Sequence, residues 1–327
     1  HSGGRQMNNH FATRNLHPDG SWKNLLQQKN SAADNSPTAN QMLRSLGLAL
    51  ASKKYRELKD ILEDVRFSDN GNEVCFVTIG DASTSEGYFW EVLNAACVQQ
   101  VPLVINVWDD GYGISVPKEL QTTKGSISEI VKGFETTDDI SSLKIIKVKG
   151  WDYPALVKAY KESIQEVREK HIPLLIHVEE MTQVQGHSTS GSHERYKSLE
   201  RLDWEKEYDC NAQMRSWMLE KQLATEEELL LIENESKDFV KQEQKKAWDE
   251  FYGTIQEEIK LAIDYLESLY EKTAFKDELK EILKTLKYGI EPTRKDILKT
   301  IHEVLVLTIT EKSSAKDQLI QWYKEIS

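Results

Sequence analysis

Four short runs of β-branched and aliphatic residues, EVCFVTIG (73 to 80), VPLVINVW (101 to 108), LKIIKVKG (143 to 150) and IPLLIHVEE (172 to 180), punctuate the first two thirds of the chain. Between them lie stretches with apolar residues at helical spacing, such as YFWEVLNAACVQQ and YPALVKAYKESIQEVREKH. Apolar runs without polar alternation read as strands buried on both faces, and strands alternating with helices predict an α/β fold, a parallel sheet covered by helices. The first 30 or so residues are polar and aperiodic, a loop over the core whose order needs a partner or ligand. From Ser36-Pro37-Thr38, a serine before proline at a first helical position, NQMLRSLGLALASK predicts a helix. After about residue 199 the chain becomes Glu/Lys-rich at helical spacing, with a strand signal returning only in VLVLTIT (304 to 310). These charge runs predict a solvated helix face, with a coiled or partner-binding seam as the alternative. The expected organisation is a domain over 1–252 ending in helices, then a helical extension or linker over 253–327.

With 42 basic and 54 acidic residues, net −12, the chain lacks the basic face that neutralises a phosphate backbone, so nucleic acid is excluded as a partner. Cys75, Cys97 and Cys210 are scattered with no CxxC spacing. Neither a disulfide framework nor a zinc site is expected, and a reducing cytoplasm fits. No apolar run reaches the ~18 residues of a membrane span, and HSGGRQMNNH carries neither an initiator Met nor a signal-peptide core. That opening is expected of a piece of something longer.

The chemistry concentrates where strands end. EVCFVTIG closes on Gly80-Asp81, and Ser83-Thr84-Ser85-Glu86 has the spacing of a capping box, predicting a helix start directly after Asp81. In an open parallel sheet, ligands bind outside the carboxyl ends of the strands, where a helix start offers free amides to phosphate. VPLVINVW, one crossover later, ends in Asp109-Asp110-Gly111-Tyr112-Gly113, which brings further carboxylates to the same edge. Carboxylates facing an anion site suit Mg²⁺, which takes one or two of them plus phosphate and water oxygens. Asp at strand ends and Asp-Gly are also ordinary turn chemistry, so spacing alone leaves both readings open.

The segment GDASTSEGYFWEVLNAACVQQVPLVINVWDDGYGISVP resembles, in register, the thiamine diphosphate motif of the alpha subunits of branched-chain 2-oxo acid and pyruvate dehydrogenases, which opens with Gly-Asp/Glu-Gly and closes near Asn-Asn-Gly-Tyr. Gly4-Arg5-Gln6-Met7 with His10, NSPTANQ (35 to 41) and Gly186-His187-Ser188-Thr189-Ser190 agree in order and spacing, and the resemblance covers about residues 1–252. It implies a Mg²⁺ held by the Asp81 and Asp110 side chains and the Tyr112 carbonyl. It further implies thiamine diphosphate contacts at Ser36, Thr38, Gly80, Asp81, Ala82, Ser83, Asp110, Tyr112, Ile114 and His187, with His187 and His10 as catalytic residues. The implied reaction is oxidative decarboxylation of a small 2-oxo acid with acyl transfer to lipoamide. GRQM and HSTS favour branched-chain substrates, with a pyruvate or acetoin relative and a cofactor-decayed scaffold as alternatives. The implied partners are a beta-type subunit or fused beta half, which brings the glutamate that activates the aminopyrimidine, and a lipoyl-bearing acyltransferase. Asp110 replaces a usual Asn, Trp108 a phosphate-binding Arg of the branched-chain enzymes, Ala82 the motif's second Gly, and Gly191 a common Asp.

Overall fold

The computed structural model describes residues 12–32, 38–62, 66–137, 142–187 and 193–326. The chain divides into two compact units, His1–Glu226 and Glu227–Ser327. In order, the elements of the first unit are α1 (Gln41–Glu57), β1 (Cys75–Gly80), α2 (Gly87–Gln99), β2 (Leu103–Trp108), β3 (Tyr112–Gly113), β4 (Val116–Pro117), α3 (Ile127–Ile130), β5 (Lys144–Lys149), α4 (Tyr153–Lys170), β6 (Leu174–Glu179), α5 (Leu199–Glu207) and α6 (Cys210–Glu220). α7 (Glu226–Tyr270) begins at the boundary, and α8 (Lys276–Tyr288), α9 (Arg294–Leu307) and α10 (Ser314–Ile326) follow.

The four expected strands form one all-parallel sheet in the order β1-β2-β6-β5, and β3 pairs with β4 as a two-residue antiparallel ribbon. Side chains alternate across a strand, so β2 feeds both faces of the sheet. Leu103, Ile105 and Val107 pack with Met42, Phe89, Leu93 and Ile127 from α1, α2 and α3. Val104 joins Leu174, Ile176 and Val178 of β6 and Leu156, Ile164 and Val167 of α4 on the other side. Both faces being covered explains why the strands read as continuous apolar runs. The one polar residue of β2, Asn106, takes a hydrogen bond from the Tyr160 hydroxyl at 2.8 Å and gives one to the Val77 carbonyl at 3.3 Å. The parallel sheet flanked by helices is the fold class the sequence implied.

In the second unit, Ile255, Ile259, Ala262, Leu266 and Leu269 form one stripe of α7 and bury against Leu279, Leu283, Ile297, Ile301, Val304 and Leu319. The strand signal in VLVLTIT is corrected here: its first four residues end α9. Ile297, Ile301 and Val304 recur at helical spacing, and Thr293 with Asp296 closes a capping box, so packing and capping override local β-propensity. Residues 234–250 of α7 are exposed all round, the solvated charged face that its composition predicts. Among the described residues, no helix is long and apolar enough to cross a membrane.

Candidate metal and diphosphate site

The site begins where β1 and β2 end together. Gly80 sits opposite Trp108 and Trp108 opposite Val178, and the ladder runs one residue further. The Asp81 amide donates to the Trp108 carbonyl at 3.1 Å and the Asp109 amide to the Val178 carbonyl at 2.9 Å. Asp81 and Asp109 therefore leave adjacent strands at one level of the sheet. A tight 3-10 turn, Ala82–Ser85, starts directly after Asp81, and Thr84 ties it back by donating from its amide (3.1 Å) and hydroxyl (2.6 Å) to the Asp81 carbonyl. The expected Ser83–Glu86 capping box does not form. Because the 3-10 turn consumes Ser83 to Ser85, Glu86 swings extended to become the N-cap of α2 and makes no side-chain cap bond.

Asp81 is 4% exposed, and its Oδ2 is buried without a hydrogen-bond partner among the described residues. Burial, then repulsion from Asp109 and Asp110, pushes its carboxyl up to about 7. An orphaned carboxylate oxygen facing two further acids is the environment that a cation relieves. Asp109 is not free to serve as a ligand. Its Oδ1 accepts the Gly111 amide at 2.9 Å, and its Oδ2 accepts Lys118 Nζ at 2.8 Å and His177 Nε2 at 3.0 Å. Burial raises its pKa, but the His177 and Lys118 hydrogen bonds outweigh that and hold the carboxyl below its ordinary range. His177 is fully buried on β6, and its Nδ1 lies 2.9 Å from the equally buried Ser128 hydroxyl. The arrangement fixes the root of the turn that follows.

That turn presents the remaining candidate ligands. Asp110 Oδ1 accepts the Tyr112 amide at 3.1 Å. Burial and Asp109 push its carboxyl up, while the Tyr112 amide, Lys197 and Arg201 oppose that rise. Gly113 packs directly on the first loop, since a Cβ there would stand 2.8 Å from the Ala82 Cβ and 2.5 Å from the Gln121 amide oxygen. Ile114 follows at φ +61°, a strained conformation for a β-branched residue, with its side chain 63% exposed. Two carboxylates with a backbone carbonyl would fit Mg²⁺, with water and diphosphate completing its oxygen shell. No cluster of three or more His, Cys, Asp or Glu side chains that could hold a metal ion occurs among the described residues.

The structure thus brings Gly80, Asp81, Ala82 and Ser83 of the first loop beside Asp110, Tyr112 and Ile114 of the second. Thr38, just ahead of α1, is exposed, as is His187. His187 connects to the turn through Tyr196, which hydrogen-bonds the His187 backbone and packs its ring 5.7 Å from that of Tyr112. His10 and Ser36 lie outside the described residues, as do Ser188-Thr189-Ser190 and Gly191. Sequence reasoning missed His177, Ser128 and the trio Lys197, Arg201 and Glu205. A histidine inside the otherwise apolar IPLLIHVEE was the signal available for the first.

The family model described as "Dehydrogenase E1 component" matches residues 5–256. The 2-oxoisovalerate dehydrogenase subunit alpha of Bacillus subtilis (strain 168) is 27% identical over 245 residues, 72% of this chain and 63% of that protein. The mitochondrial 2-oxoisovalerate dehydrogenase subunit alpha of Mus musculus is 26% identical over 250 residues, 76% of this chain and 47% of that one. The pyruvate dehydrogenase E1 component subunit alpha of Rickettsia bellii (strain RML369-C) is 26% identical over 171 residues, 52% of this chain and 50% of its own length. The chain spans about half to two thirds of the length of these relatives. Taken with the parallel sheet and the paired strand-end loops, the match over most of its length shows that the chain belongs to the dehydrogenase E1 component family, the thiamine diphosphate-dependent alpha subunits of 2-oxo acid dehydrogenases.

Proposed function

We propose that this chain is the Mg²⁺- and diphosphate-binding half of a decarboxylating 2-oxo acid dehydrogenase that acts on a branched-chain 2-oxo acid and passes the acyl group to lipoamide. The observation that carries the reading is the buried Asp81 Oδ2 at a strand end, without a hydrogen-bond partner among the described residues and facing Asp109 and Asp110. Asp81 and Asp110 supply carboxylates to the cation and Tyr112 its carbonyl. Gly80, Ala82 and Ser83 line the diphosphate, with Thr38 and Ile114 as further contacts; Ser36 is assigned to the cofactor by the sequence resemblance alone. Thiamine diphosphate, when bound, supplies the carbon nucleophile on which the 2-oxo acid loses CO₂; the protein contributes binding, orientation and electrostatics. His187 and His10 are the catalytic residues of this reading and assist acyl transfer to the lipoyl group of an acyltransferase.

Branched-chain substrates are favoured because similarity to the 2-oxoisovalerate enzymes runs over 72–76% of the chain, against 52% for the Rickettsia pyruvate enzyme. A pyruvate substrate is the second reading, since identity to both kinds is nearly equal. A beta-type half, fused or separate, completes the site by holding the aminopyrimidine end of the cofactor, and residues 253–327 act as a helical extension toward it. The free thiols of Cys75, Cys97 and Cys210 suit a reducing compartment, where we place the protein in the cytoplasm. The test is turnover with an artificial electron acceptor, cofactor and Mg²⁺, with and without a candidate beta-type half. We expect 3-methyl-2-oxobutanoate to outrun pyruvate and to need that half. Preferential turnover of pyruvate overturns the substrate assignment, and full turnover by the chain alone overturns the division of labour.

A further inference from the structure

One buried acid organises the approach of the α5 region to the ligand turn. Glu205 on α5 is 1% exposed, and both its carboxylate oxygens accept Lys197 Nζ at 2.8 Å. Its Oε1 also accepts Arg201 Nε at 2.8 Å. A carboxylate this deep persists only when paired, and here two cations share it, leaving a net positive charge toward the turn. Each cation has a second partner on that turn. Arg201 Nη2 donates to the Asp110 carbonyl at 2.8 Å, and its guanidinium lies 5.5 Å from the Tyr112 ring centroid and 4.6 Å from that of Trp204. Lys197 Nζ lies 5.2 Å from the Tyr112 ring.

These contacts fall beside the glycine of the turn. The peptide that joins the two candidate ligands runs through Gly111 at φ +81°, a residue that left to itself samples many conformations. With the Asp110 carbonyl pinned from outside, the Asp110–Gly111 peptide plane is fixed, and with it the relative placement of the Asp110 side chain and the Tyr112 carbonyl. Arg201 suits the task because its planar fork lets Glu205 hold one edge while another nitrogen meets the carbonyl.

We propose that Arg201, oriented by Glu205, is a positioning residue for the cation-binding turn: it touches neither metal nor substrate but sets the geometry of the residues that do. What the turn binds rests on the proposed function; its rigidity does not.

The test is amide hydrogen exchange on the whole chain, comparing wild type, Arg201→Gln and Arg201→Lys, with Arg294→Gln as a control that breaks an exposed ion pair to Glu258 in the second unit. The Gly111 and Tyr112 amides, bonded to Asp109 Oδ1 and Asp110 Oδ1, report on the turn, and those of β2 on the fold. Arg201→Gln is expected to speed exchange at Gly111 and Tyr112 about tenfold, the scale of one charge-assisted hydrogen bond, and to leave β2 unchanged. Arg201→Lys, which keeps the charge but lacks the fork that reaches Glu205 and the Asp110 carbonyl together, recovers little of the protection, and Arg294→Gln has no effect. Mg²⁺-dependent thiamine diphosphate binding weakens about tenfold in Arg201→Gln and is unchanged in Arg294→Gln. Unchanged protection at Gly111 and Tyr112, or equal loss throughout β2, overturns the inference. Loss confined to the turn, in a wild-type chain that binds neither thiamine diphosphate nor Mg²⁺, supports the inference and overturns the proposed function instead.

Discussion

Replacing Asp81 with Asn removes a charge that the metal-free fold accommodates poorly, so the variant should be the more stable protein at alkaline pH. The ordinary aspartate value is 3.8, and in the fold the Asp81 carboxyl sits at about 7. The folded state thus binds this proton more tightly than the unfolded one. Its contribution to stability is fully present below about pH 4 and is lost as pH rises through about 7. The full gap corresponds to about 4 kcal/mol. Relaxation of the loop and entry of water reduce that to roughly 1 to 3 kcal/mol. Asparagine keeps the shape of the side chain, and its amide can donate toward the neighbouring Asp109 and Asp110 carboxylates. For a unit of this size each kcal/mol moves the melting temperature by about 2 to 4 °C, so Asp81→Asn should melt roughly 3 to 9 °C higher than wild type near pH 8 in chelator. The advantage should fade toward about pH 5, where the wild-type carboxyl is protonated. Calorimetric or fluorescence melts across that range measure it. Adding Mg²⁺ with thiamine diphosphate should reverse the order by stabilising wild type only. A variant that melts below wild type near pH 8, or a difference that does not change with pH, refutes the reasoning.

Two further substitutions probe neighbouring parts of the site. Trp108, half exposed at the end of β2 where the branched-chain relatives are expected to carry an arginine, should tighten thiamine diphosphate about five- to tenfold when changed to Arg, as titration calorimetry would read; unchanged affinity would mean that the diphosphate lies elsewhere. His187→Ala should depress lipoamide acylation by about tenfold or more while decarboxylation and cofactor affinity change little, and equal losses in both half-reactions would remove its assigned role.

The parallel sheet was legible because β2 and β6 are buried on both faces and carry almost nothing but aliphatic side chains, a pattern that has few alternatives. Asp81 was legible for a similar reason, as an acid at the hinge between a strand and a polar run. The helix start after it was misread in detail because Ser83 and Glu86 fit a capping box by spacing, and spacing does not reveal that a 3-10 turn has used the intervening residues. VLVLTIT misled because β-branched residues serve equally well on the buried stripe of a helix when three neighbouring helices supply the packing. Lys197 and Glu205 were hidden by composition: in a Glu/Lys-rich stretch, nothing local separates a pair that is buried from the many that face water. The same limit applies to Asp109 and Asp110, adjacent acids of which one is saturated by His177 and Lys118 while the other accepts only the Tyr112 amide, on one oxygen, among the described residues.

The central claim is that Asp81 and the 110–112 turn hold a diphosphate through Mg²⁺. Calorimetric titration of thiamine diphosphate into the 327-residue chain, with Mg²⁺ and then with chelator, tests it most directly when wild type is compared with Asp81→Ala. Binding that requires Mg²⁺ and disappears in Asp81→Ala, in a protein whose melting still shows a folded unit, is the expected result. Binding of equal affinity in chelator, or in the Asp81→Ala variant, would contradict it.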